Sequence, residues 1–257
     1  MNLTENQHCY ACDSPATGRE HVPPKCLFPT ELNKNYRKNL VTVPSCDTHN
    51  TSKSDDDEFL LASLAGIIGC NNVGLAHKFT KVNRAIRRTR GKVLEKALKE
   101  QSVEWYQMDT GEVFDVTWGK PDIERLSRCF SLIGKGLYYN AYGERFKGNV
   151  NCEIAYLSIN DGGRMGFRQF VVDEMNTELS KSQIKGDNPA VFQWSLGPLD
   201  ASGACCGKMI FYGNLEVYLG FIPEIFSGVE FVSLYEIAKD VSKPVFLKKG
   251  NRRYRIN

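Results

Sequence analysis

The spacing of hydrophobic residues changes along this chain and divides it into regions of different texture. Residues 1–58 show little regular periodicity and are rich in Cys, Pro, Asn, Asp and His. This composition is typical of a small fold held together by something other than a large hydrophobic core. From Asp55 onward the apolar positions predict two helices, separated by a break at Gly69–Gly74. Their apolar faces consist of Leu60, Leu64, Ile67 and Ile68, and of Leu75, Phe79, Val82 and Ile86.

The second half of the chain combines one helix with short strands. A strand-like stretch at Val113–Trp118 precedes Pro121, and the apolar spacing over residues 122–139 predicts an amphipathic helix. Beyond the helix, aromatic or β-branched runs separated by Gly, Asn and Asp are typical of strands joined by turns. These runs are Glu153–Ile159, Gly166–Val172, Val191–Leu196, Met209–Tyr212 and Leu215–Phe221.

These patterns together predict an α+β protein with three parts. Residues 1–60 form a small module held by a metal, and residues 61–119 form a helical, basic connector. Residues 120–257 form a C-terminal α+β domain with mostly antiparallel strands, which has no recognisable site and is a candidate surface for a homodimer or a protein partner.

The composition indicates a cytoplasmic protein without a membrane partner. Of its 257 residues, 42% are hydrophobic and 25% are charged, as in ordinary globular proteins. The first residues are polar and lack a secretory signal, and no run of about eighteen apolar residues is present. The nine cysteines are therefore expected in a reducing compartment, where closely spaced cysteines bind metal more often than they form disulfides.

Positive charge is concentrated in one segment. The net charge of +3 is too small to indicate nucleic-acid binding, but residues 78–99 hold nine lysines and arginines against the single acid Glu95, an excess of +8. An ordinary solvated helix rarely has such an excess, so we expect this segment to contact phosphates. The residues assigned to nucleic-acid binding here are Lys78, Lys81, Arg84, Arg87, Arg88 and Arg90.

Two cysteine-containing pairs predict a structural zinc site. Cys9 and Cys12 form the first pair, Cys46 and His49 form the second, and 33 residues separate the pairs. Four such ligands in two turns suit a tetrahedral Zn²⁺ ion. Cys26 and His8 are alternative ligands, and a buried cysteine can also pack simply as a small hydrophobic residue.

The residues between and after these pairs resemble the HNH endonuclease signature. Residues 20–25, EHVPPK, resemble the family's Asp/Glu-His-hydrophobic-x-Pro-Lys string. Residues 42–59, TVPSCDTHNTSKSDDDEF, resemble its second half, in which a zinc knuckle leads directly into the helix that carries the last metal ligand. The resemblance covers about residues 9–59, and it implies a ββα-metal module with one structural zinc and one catalytic cation.

The resemblance also implies a role for particular side chains. His21 would be the general base, since an imidazole titrates near neutral pH. Glu20 and Asn50 would give oxygen ligands to a hard cation, Mg²⁺ or Mn²⁺. Asn39 would help to orient the base, and Lys53 would contact a phosphate of the substrate.

Two positions depart from the family pattern. The second knuckle usually ends in cysteine, whereas here its last residue is His49, which would bind either the zinc or the catalytic cation. The middle Asn of the motif is not fixed by spacing, so Asn33 and Asn35 are alternatives to Asn39.

The expected function is that of a metal-dependent HNH endonuclease that hydrolyses phosphodiester bonds in nucleic acid, with DNA as the favoured substrate. By analogy with the family, restriction or phage defence is the expected setting. Two alternatives stay open. One is a zinc-containing module that binds nucleic acid without cleaving it, and the other is a nuclease subunit that is active only with a partner or trigger.

Overall fold

The computed structural model describes residues 7–255 except 90, 108, 112, 158–163, 227–240 and 242. Arg90, one of the predicted phosphate contacts, therefore lies outside the described residues, as does the end of the predicted strand Glu153–Ile159. The described helices are α1 (Ser54–Leu64), α2 (Asn72–His77), α3 (Asn83–Arg88), α4 (Lys92–Ala97), α5 (Ile123–Tyr142) and α6 (Arg164–Leu179).

The described strands form antiparallel sheets. The strands are β1 (Gly18–His21), β2 (Thr42–Ser45), β3 (Leu98–Gln107), β4 (Val113–Pro121), β5 (Gly148–Ile154), β6 (Lys185–Asn188), β7 (Phe192–Leu196), β8 (Cys205–Phe211), β9 (Leu215–Pro223), β10 (Phe246–Lys249) and β11 (Arg252–Arg255). Three sheets have two strands each, and one has five in the order β5-β9-β8-β7-β6. The predicted α+β class with antiparallel strands is confirmed.

The N-terminal part is a two-stranded sheet followed by a helix. Strand β1 pairs with β2 so that Glu20 lies opposite Val43 and His21 lies opposite Thr42. Two short 3-10 turns, Asp47–His49 and Thr51–Lys53, then connect β2 to α1. The acidic residues Asp55, Asp56 and Asp57 lie in the first turn of α1, where the positive end of the helix dipole favours them.

The second predicted helix is present, but the connector is not helical throughout. Helices α2 and α3 are joined by a π-helical segment, Lys78–Val82, and the side chain of Asn71 caps the start of α2. After α4 the chain forms a hairpin of β3 and β4, which have ten and nine residues. The predicted strand Val113–Trp118 lies within β4. Several of its large apolar side chains are exposed, including Trp105 at 72%.

Two sequence predictions for the C-terminal part are corrected. The strand predicted at Glu153–Ile159 lies earlier in the chain, as β5 (Gly148–Ile154), and residues 155–157 form a turn. Residues Gly166–Val172, predicted as a strand, lie in the 16-residue helix α6. The aromatic and β-branched residues of that run fit either structure locally, but no helix-breaking residue follows before Leu179, and the helix packs Phe170 against Tyr254. The predicted helix over 122–139 is confirmed as α5, with the Asp122 side chain capping its first turn.

The hydrophobic core is continuous across the three predicted parts. One cluster of buried residues includes Val22 and Phe59 from the N-terminal part and Leu137 and Phe211 from the C-terminal part. Helix α5 packs against both β2 and β5. At Gly136 it comes so close to the β1–β2 connection that an added Cβ would lie 2.6 Å from a methyl group of Val22. No described helix is long and apolar enough to cross a membrane.

Candidate functional site

Two turns bring the four predicted zinc ligands together. The sulfur atoms of Cys9, Cys12 and Cys46 and a ring nitrogen of His49 all lie within 4.8 Å of one another. The Sγ atoms of Cys12 and Cys46 are 3.7 Å apart, and His49 Nδ1 lies 3.6 Å from Cys9 Sγ and 3.3 Å from Cys46 Sγ. Four ligands at about 2.3 Å from a central ion are roughly 3.8 Å apart at the corners of a tetrahedron. The spacing fits a zinc-like ion.

Backbone hydrogen bonds hold the two turns beside each other. The amide of Tyr10 in the first turn donates to the carbonyl of Pro44 in β2 over 2.9 Å. In the second turn the amide of His49 donates to the carbonyl of Cys46 over 3.0 Å, which closes the loop that carries both ligands. The β1–β2 sheet therefore sets the distance between the two knuckles, although 33 residues separate them in sequence.

The surroundings of these ligands favour the metal-binding form of His49 and Cys12 and oppose the thiolate form of Cys9. Burial, together with the charges of Lys53 and Lys135, lowers the pKa of His49, so its ring is neutral near pH 7, which is the form that binds metal. Burial raises the pKa of Cys9, while for Cys12 burial is outweighed by hydrogen bonds with Ser14 and the neighbouring thiols, which lower its pKa. The Cys3His cluster could hold a zinc-like ion.

The cluster decides between the predicted ligand alternatives. His49 lies with the three cysteines, as first predicted, and His8 and Cys26 are not members of the group. The Cys26 thiol instead donates to the carbonyl of Asp57 over 3.4 Å, and burial raises its pKa to about 12. Among the described residues, the Cys3His cluster is the single group of three or more His, Cys, Asp and Glu side chains close enough for a metal.

A separate buried ion pair joins β1 to the start of α1. The Nζ atom of Lys53 lies 2.7 Å from Oε1 of Glu20, and both side chains are less than 10% exposed. The same ammonium lies 4.0 Å from Oδ1 of Asp57, four residues along the chain. Two carboxylates thus share a single positive charge at the junction of strand and helix.

Burial strongly affects these carboxylates. It raises the pKa of Glu20, an effect that Lys53 opposes. It also raises the pKa of Asp57 to about 6, where Lys53 opposes the shift and Glu20 adds to it. The resemblance to the HNH signature implies no role for Asp57. The signal that could have identified it is its spacing of four residues from Lys53, which puts both on one face of α1 and its preceding turn.

Asn50 lies at the turn between the zinc ligand His49 and Lys53. Its Nδ2 atom donates to the backbone carbonyl of Arg19 over 3.4 Å, which ties the turn to β1 next to Glu20. This orientation uses the amide donor and keeps the amide oxygen available as an acceptor. The predicted oxygen donors Glu20 and Asn50 therefore both belong to the β1–α1 junction.

His21 ends β1 and is half-buried. Burial, with the nearby charges of Lys25 and Arg37, lowers its pKa, so the imidazole is neutral and able to accept a proton near pH 7. Adjacent residues of a strand point to opposite faces, and no hydrogen bond in the described part of the chain connects His21 to Glu20 or Asn50. His21 is therefore not held by a hydrogen bond to either of the two predicted cation ligands within the described chain.

Asn39 contacts another part of the fold. Its Nδ2 atom donates to Oδ2 of Asp187 over 2.6 Å, and its backbone has a positive φ of 52°. The amide therefore links the loop before β2 to the C-terminal sheet, and the predicted role in orienting His21 has no support from this contact. The two alternatives to Asn39 contact each other: the side chain of Asn33 accepts a hydrogen bond from the backbone amide of Asn35.

Tyr10 is a buried polar residue that the sequence analysis did not select. Its hydroxyl has no hydrogen-bond partner within the described part of the protein. Its ring meets the ring of His49 edge-on, with centroids 6.2 Å apart. Burial raises its pKa, and the charges of Glu20, Cys9 and Asp57 raise it further. Tyr10 therefore lies between the zinc ligands and the buried carboxylates.

The predicted phosphate contacts are partly neutralised within the chain. Arg84 pairs with Glu31 at 2.9 Å, and Arg88 lies 3.7 Å from a carboxylate oxygen of Glu58. Lys81 lies 3.5 Å from the Cys26 carbonyl. Burial lowers the pKa of Lys78, opposed by Asp115. Arg87 is the remaining described member of the predicted set, and it is exposed.

Comparisons with protein-family models, with curated proteins and with solved structures gave no significant match.

Proposed function

We propose that this protein is a metal-dependent endonuclease of the HNH type that hydrolyses phosphodiester bonds in nucleic acid, with DNA as the favoured substrate. The observation that carries the proposal is the order of elements around Glu20. Strand β1, which carries both Glu20 and His21, pairs antiparallel with β2. Two ligands of the Cys3His cluster precede β1 and two follow β2, and α1 begins directly after Lys53.

The structural role in this proposal belongs to zinc. The ligand atoms of the knuckles already lie within 4.8 Å of one another. Soft thiolates and an imidazole favour zinc over Mg²⁺ or Ca²⁺. The ion would fix β2 relative to the first knuckle and thereby position Glu20 and Asn50 on either side of the β1–α1 junction.

The buried carboxylates support a second, harder cation. Glu20 and Asp57 already share the ammonium of Lys53, and the nearby Tyr10 hydroxyl is unpaired within the described chain. Carboxylate and amide oxygens suit Mg²⁺ or Mn²⁺, so Glu20, Asp57 and Asn50 would hold the cation. When bound, this cation would stabilise the negative charge that builds on the phosphate and the leaving oxygen.

The chain's own side chains then have distinct tasks. His21, neutral near pH 7 because of its lowered pKa, would take a proton from the attacking water. Lys53 would turn from the carboxylates to a phosphate oxygen of the substrate when the cation takes its place. Positive residues of the segment 78–99, of which Arg87 is an example, would hold the nucleic-acid backbone.

A non-enzymatic zinc module that binds nucleic acid is the second candidate function. The specific observation in its favour is the 2.7 Å ion pair between Lys53 and Glu20, which neutralises the carboxylate without any metal ion. In that case the buried pair has a structural role, and His21 is a half-buried histidine without chemistry.

A cleavage assay separates these candidates. We expect the purified protein to nick or cut supercoiled plasmid with Mg²⁺ or Mn²⁺, and to lose at least 100-fold of that rate on His21→Ala, the order of a general base's contribution. The zinc content of His21→Ala, measured by mass spectrometry, should stay at the wild-type level, because His21 is not in the Cys3His cluster.

The matched control is His8→Ala, since His8 is exposed and lies outside the cluster. It should cleave like the wild type. Salt-sensitive binding of DNA and RNA without cleavage by any divalent ion, with or without cell extract, would instead establish the non-enzymatic module. Cleavage that appears only in extract would identify a nuclease subunit that needs a partner or trigger.

A further inference from the structure

A cavity of about 420 Å³ lies where the first zinc knuckle meets the C-terminal sheet. Its walls come from three separate parts of the chain. Ala11 and Asp13 belong to the knuckle, Lys135 belongs to α5, and residues 145–151 and 222–226 belong to the paired strands β5 and β9 and their ends. A volume of this size is within the range of pockets that bind small molecules.

The cavity holds more positive than negative charge. Lys135, Arg145 and Lys147 line it, together with the acidic residues Asp13 and Glu224, and within the described chain neither lysine side chain has a hydrogen bond or an ion pair. Arg145 pairs with Asp13, but the Asp13 side chain is 90% exposed, so it neutralises the cavity weakly. Burial and the charge of Arg145 lower the pKa of Lys135. Like charges brought together in a half-buried position are destabilising unless an anion binds between them.

Polar and aromatic side chains complete the lining. Asn149 and Asn151 alternate along β5 and so lie on one face of the strand, and both are lining residues with exposed amides. Ile222 provides apolar surface on the same walls, and the ring of Phe146 is buried beneath them against Tyr138 and Phe221. Cationic groups suit a phosphate, and amides suit the edge of a base or a sugar.

We propose that this cavity binds a nucleotide, with Lys135 and Arg145 at its phosphate and Asn149 and Asn151 at its nucleoside part. The proposal is independent of nuclease activity, because none of these residues belongs to the Glu20–Lys53–Asp57 group or to the zinc cluster. A nucleotide bound here would rest directly against the zinc knuckle.

Contact with the knuckle makes nucleotide binding depend on zinc. The amide of Ala11 lies 3.5 Å from the sulfur of the zinc ligand Cys9, and the side chain of Asp13 in the same turn reaches Arg145. Removal of the metal would release the turn that forms one wall. Linkage then requires that zinc and nucleotide each strengthen the binding of the other.

Isothermal titration calorimetry of the full-length, zinc-loaded protein with AMP, GMP and ATP tests the proposal. Inorganic phosphate and adenosine serve as partial ligands, and a short oligonucleotide represents a phosphate of nucleic acid. We expect at least one nucleotide to bind at least tenfold more tightly than phosphate, adenosine or the oligonucleotide. Lys135→Met should weaken that nucleotide at least tenfold, as should a separate Asn149→Leu, Asn151→Leu double variant.

The matched control is Lys181→Met, which removes an exposed lysine outside the cavity and should bind like the wild type. Circular dichroism and zinc content show whether each variant is folded. Nucleotide affinity no higher than that of phosphate would overturn the proposal. So would preferred binding of the oligonucleotide, or full affinity in a folded Lys135→Met protein. A protein that binds the nucleotide but does not cleave nucleic acid would contradict the proposed nuclease function and leave the nucleotide site supported.

Discussion

Glu20 and Lys53 are the residues at which structure and proposed chemistry meet most closely. Both side chains are almost completely removed from water, and they are held 2.7 Å apart. A buried charge is expensive unless it is paired, so each residue depends on the other. The same pair is also where a catalytic cation would compete with the lysine ammonium.

We predict that Lys53→Met destabilises the protein and makes it responsive to divalent cations. Loss of the ammonium leaves Glu20 unpaired, which costs roughly 3 kcal/mol of the free energy of unfolding. Millimolar Mg²⁺ or Mn²⁺ should then raise the melting temperature of the variant more than that of the wild type. Thermal unfolding with and without the cation measures both effects.

Lys38→Met is the control for that experiment, since Lys38 is exposed and outside the buried pair. It should melt like the wild type with and without the cation. A Lys53→Met protein that is destabilised but indifferent to every divalent ion would indicate a purely structural ion pair.

His77 makes stability depend on pH below neutrality. It is completely buried, its Nδ1 lies 3.0 Å from the Tyr212 hydroxyl, and its Nε2 has no partner within the described chain. Burial lowers its pKa from 6.5 to about 4, with Lys81 and Arg37 adding to the shift and Glu31 opposing it. In the unfolded chain His77 therefore binds a proton below pH 6.5, whereas in the folded protein it stays neutral down to about pH 4.

The free energy of unfolding should accordingly fall by about 3 kcal/mol between pH 6.5 and 4, because the folded-state pKa is depressed. Urea unfolding of wild type and His77→Gln across this range isolates the effect, since acid release of zinc is common to both proteins. Parallel curves for the two proteins would show that His77 contributes nothing to the pH dependence.

At the scale of elements, the close approach of α5 to the β1–β2 connection is the most specific contact. Alanine is about 1 kcal/mol more favourable than glycine in a helix, yet at Gly136 its Cβ would lie 2.6 Å from a Val22 methyl. We predict that Gly136→Ala lowers the free energy of unfolding by roughly 1–2 kcal/mol, because β-branched valine is stiff and overpacking is costly.

A double-mutant cycle with Val22→Ala checks this interpretation. In the Val22→Ala background the methyl groups are gone, and the same Gly136→Ala change should become neutral or stabilising. Equal effects of Gly136→Ala in both backgrounds would place the cause elsewhere. Asn140→Ala, at an exposed position of α5, is the control for helix propensity alone and should have little effect.

Elements with a long, consistent pattern could be predicted from the sequence, and ambiguous ones could not. The apolar spacing identified α5 almost to its ends. The run Gly166–Val172 has no such consistency: its aromatic and β-branched residues fit a strand, and the contact between Phe170 and Tyr254 lies 84 residues away in sequence. Local pattern cannot contain that information.

The candidate site likewise contains some features that could be predicted from the sequence and others that could not. The two knuckles were predictable because metal ligands have a fixed spacing, and even His49 was assigned to the correct group. The pairing of Lys53 with Glu20 was not, because it depends on how the turn before α1 packs against β1. Asn39 illustrates the opposite error, since its partner Asp187 comes from a distant part of the chain.

At the scale of the whole molecule, the N-terminal part shares its core with the rest of the chain. Val22 and Phe59 belong to the same buried cluster as Leu137 and Phe211. A fragment of residues 1–60 would expose the apolar side of β2 and α1 that α5 covers. A metal ion could still hold its four ligands, but the surrounding structure would lose most of its packing.

We predict that the 1–60 fragment binds one zinc ion but does not unfold cooperatively. Heating followed by circular dichroism, with zinc present, should give a broad change where the full chain gives a sharp one. A sharp, zinc-dependent transition of the fragment would show that residues 1–60 are an independent domain.

The most direct test of the account is the rate of plasmid cleavage by wild type and Glu20→Gln as the Mg²⁺ concentration is raised. Removing one buried carboxylate charge should leave the zinc content unchanged and should abolish cleavage or shift it to much higher Mg²⁺ concentration. A folded Glu20→Gln protein that cleaves like the wild type at every Mg²⁺ concentration would contradict the proposed catalytic role of the β1–α1 junction.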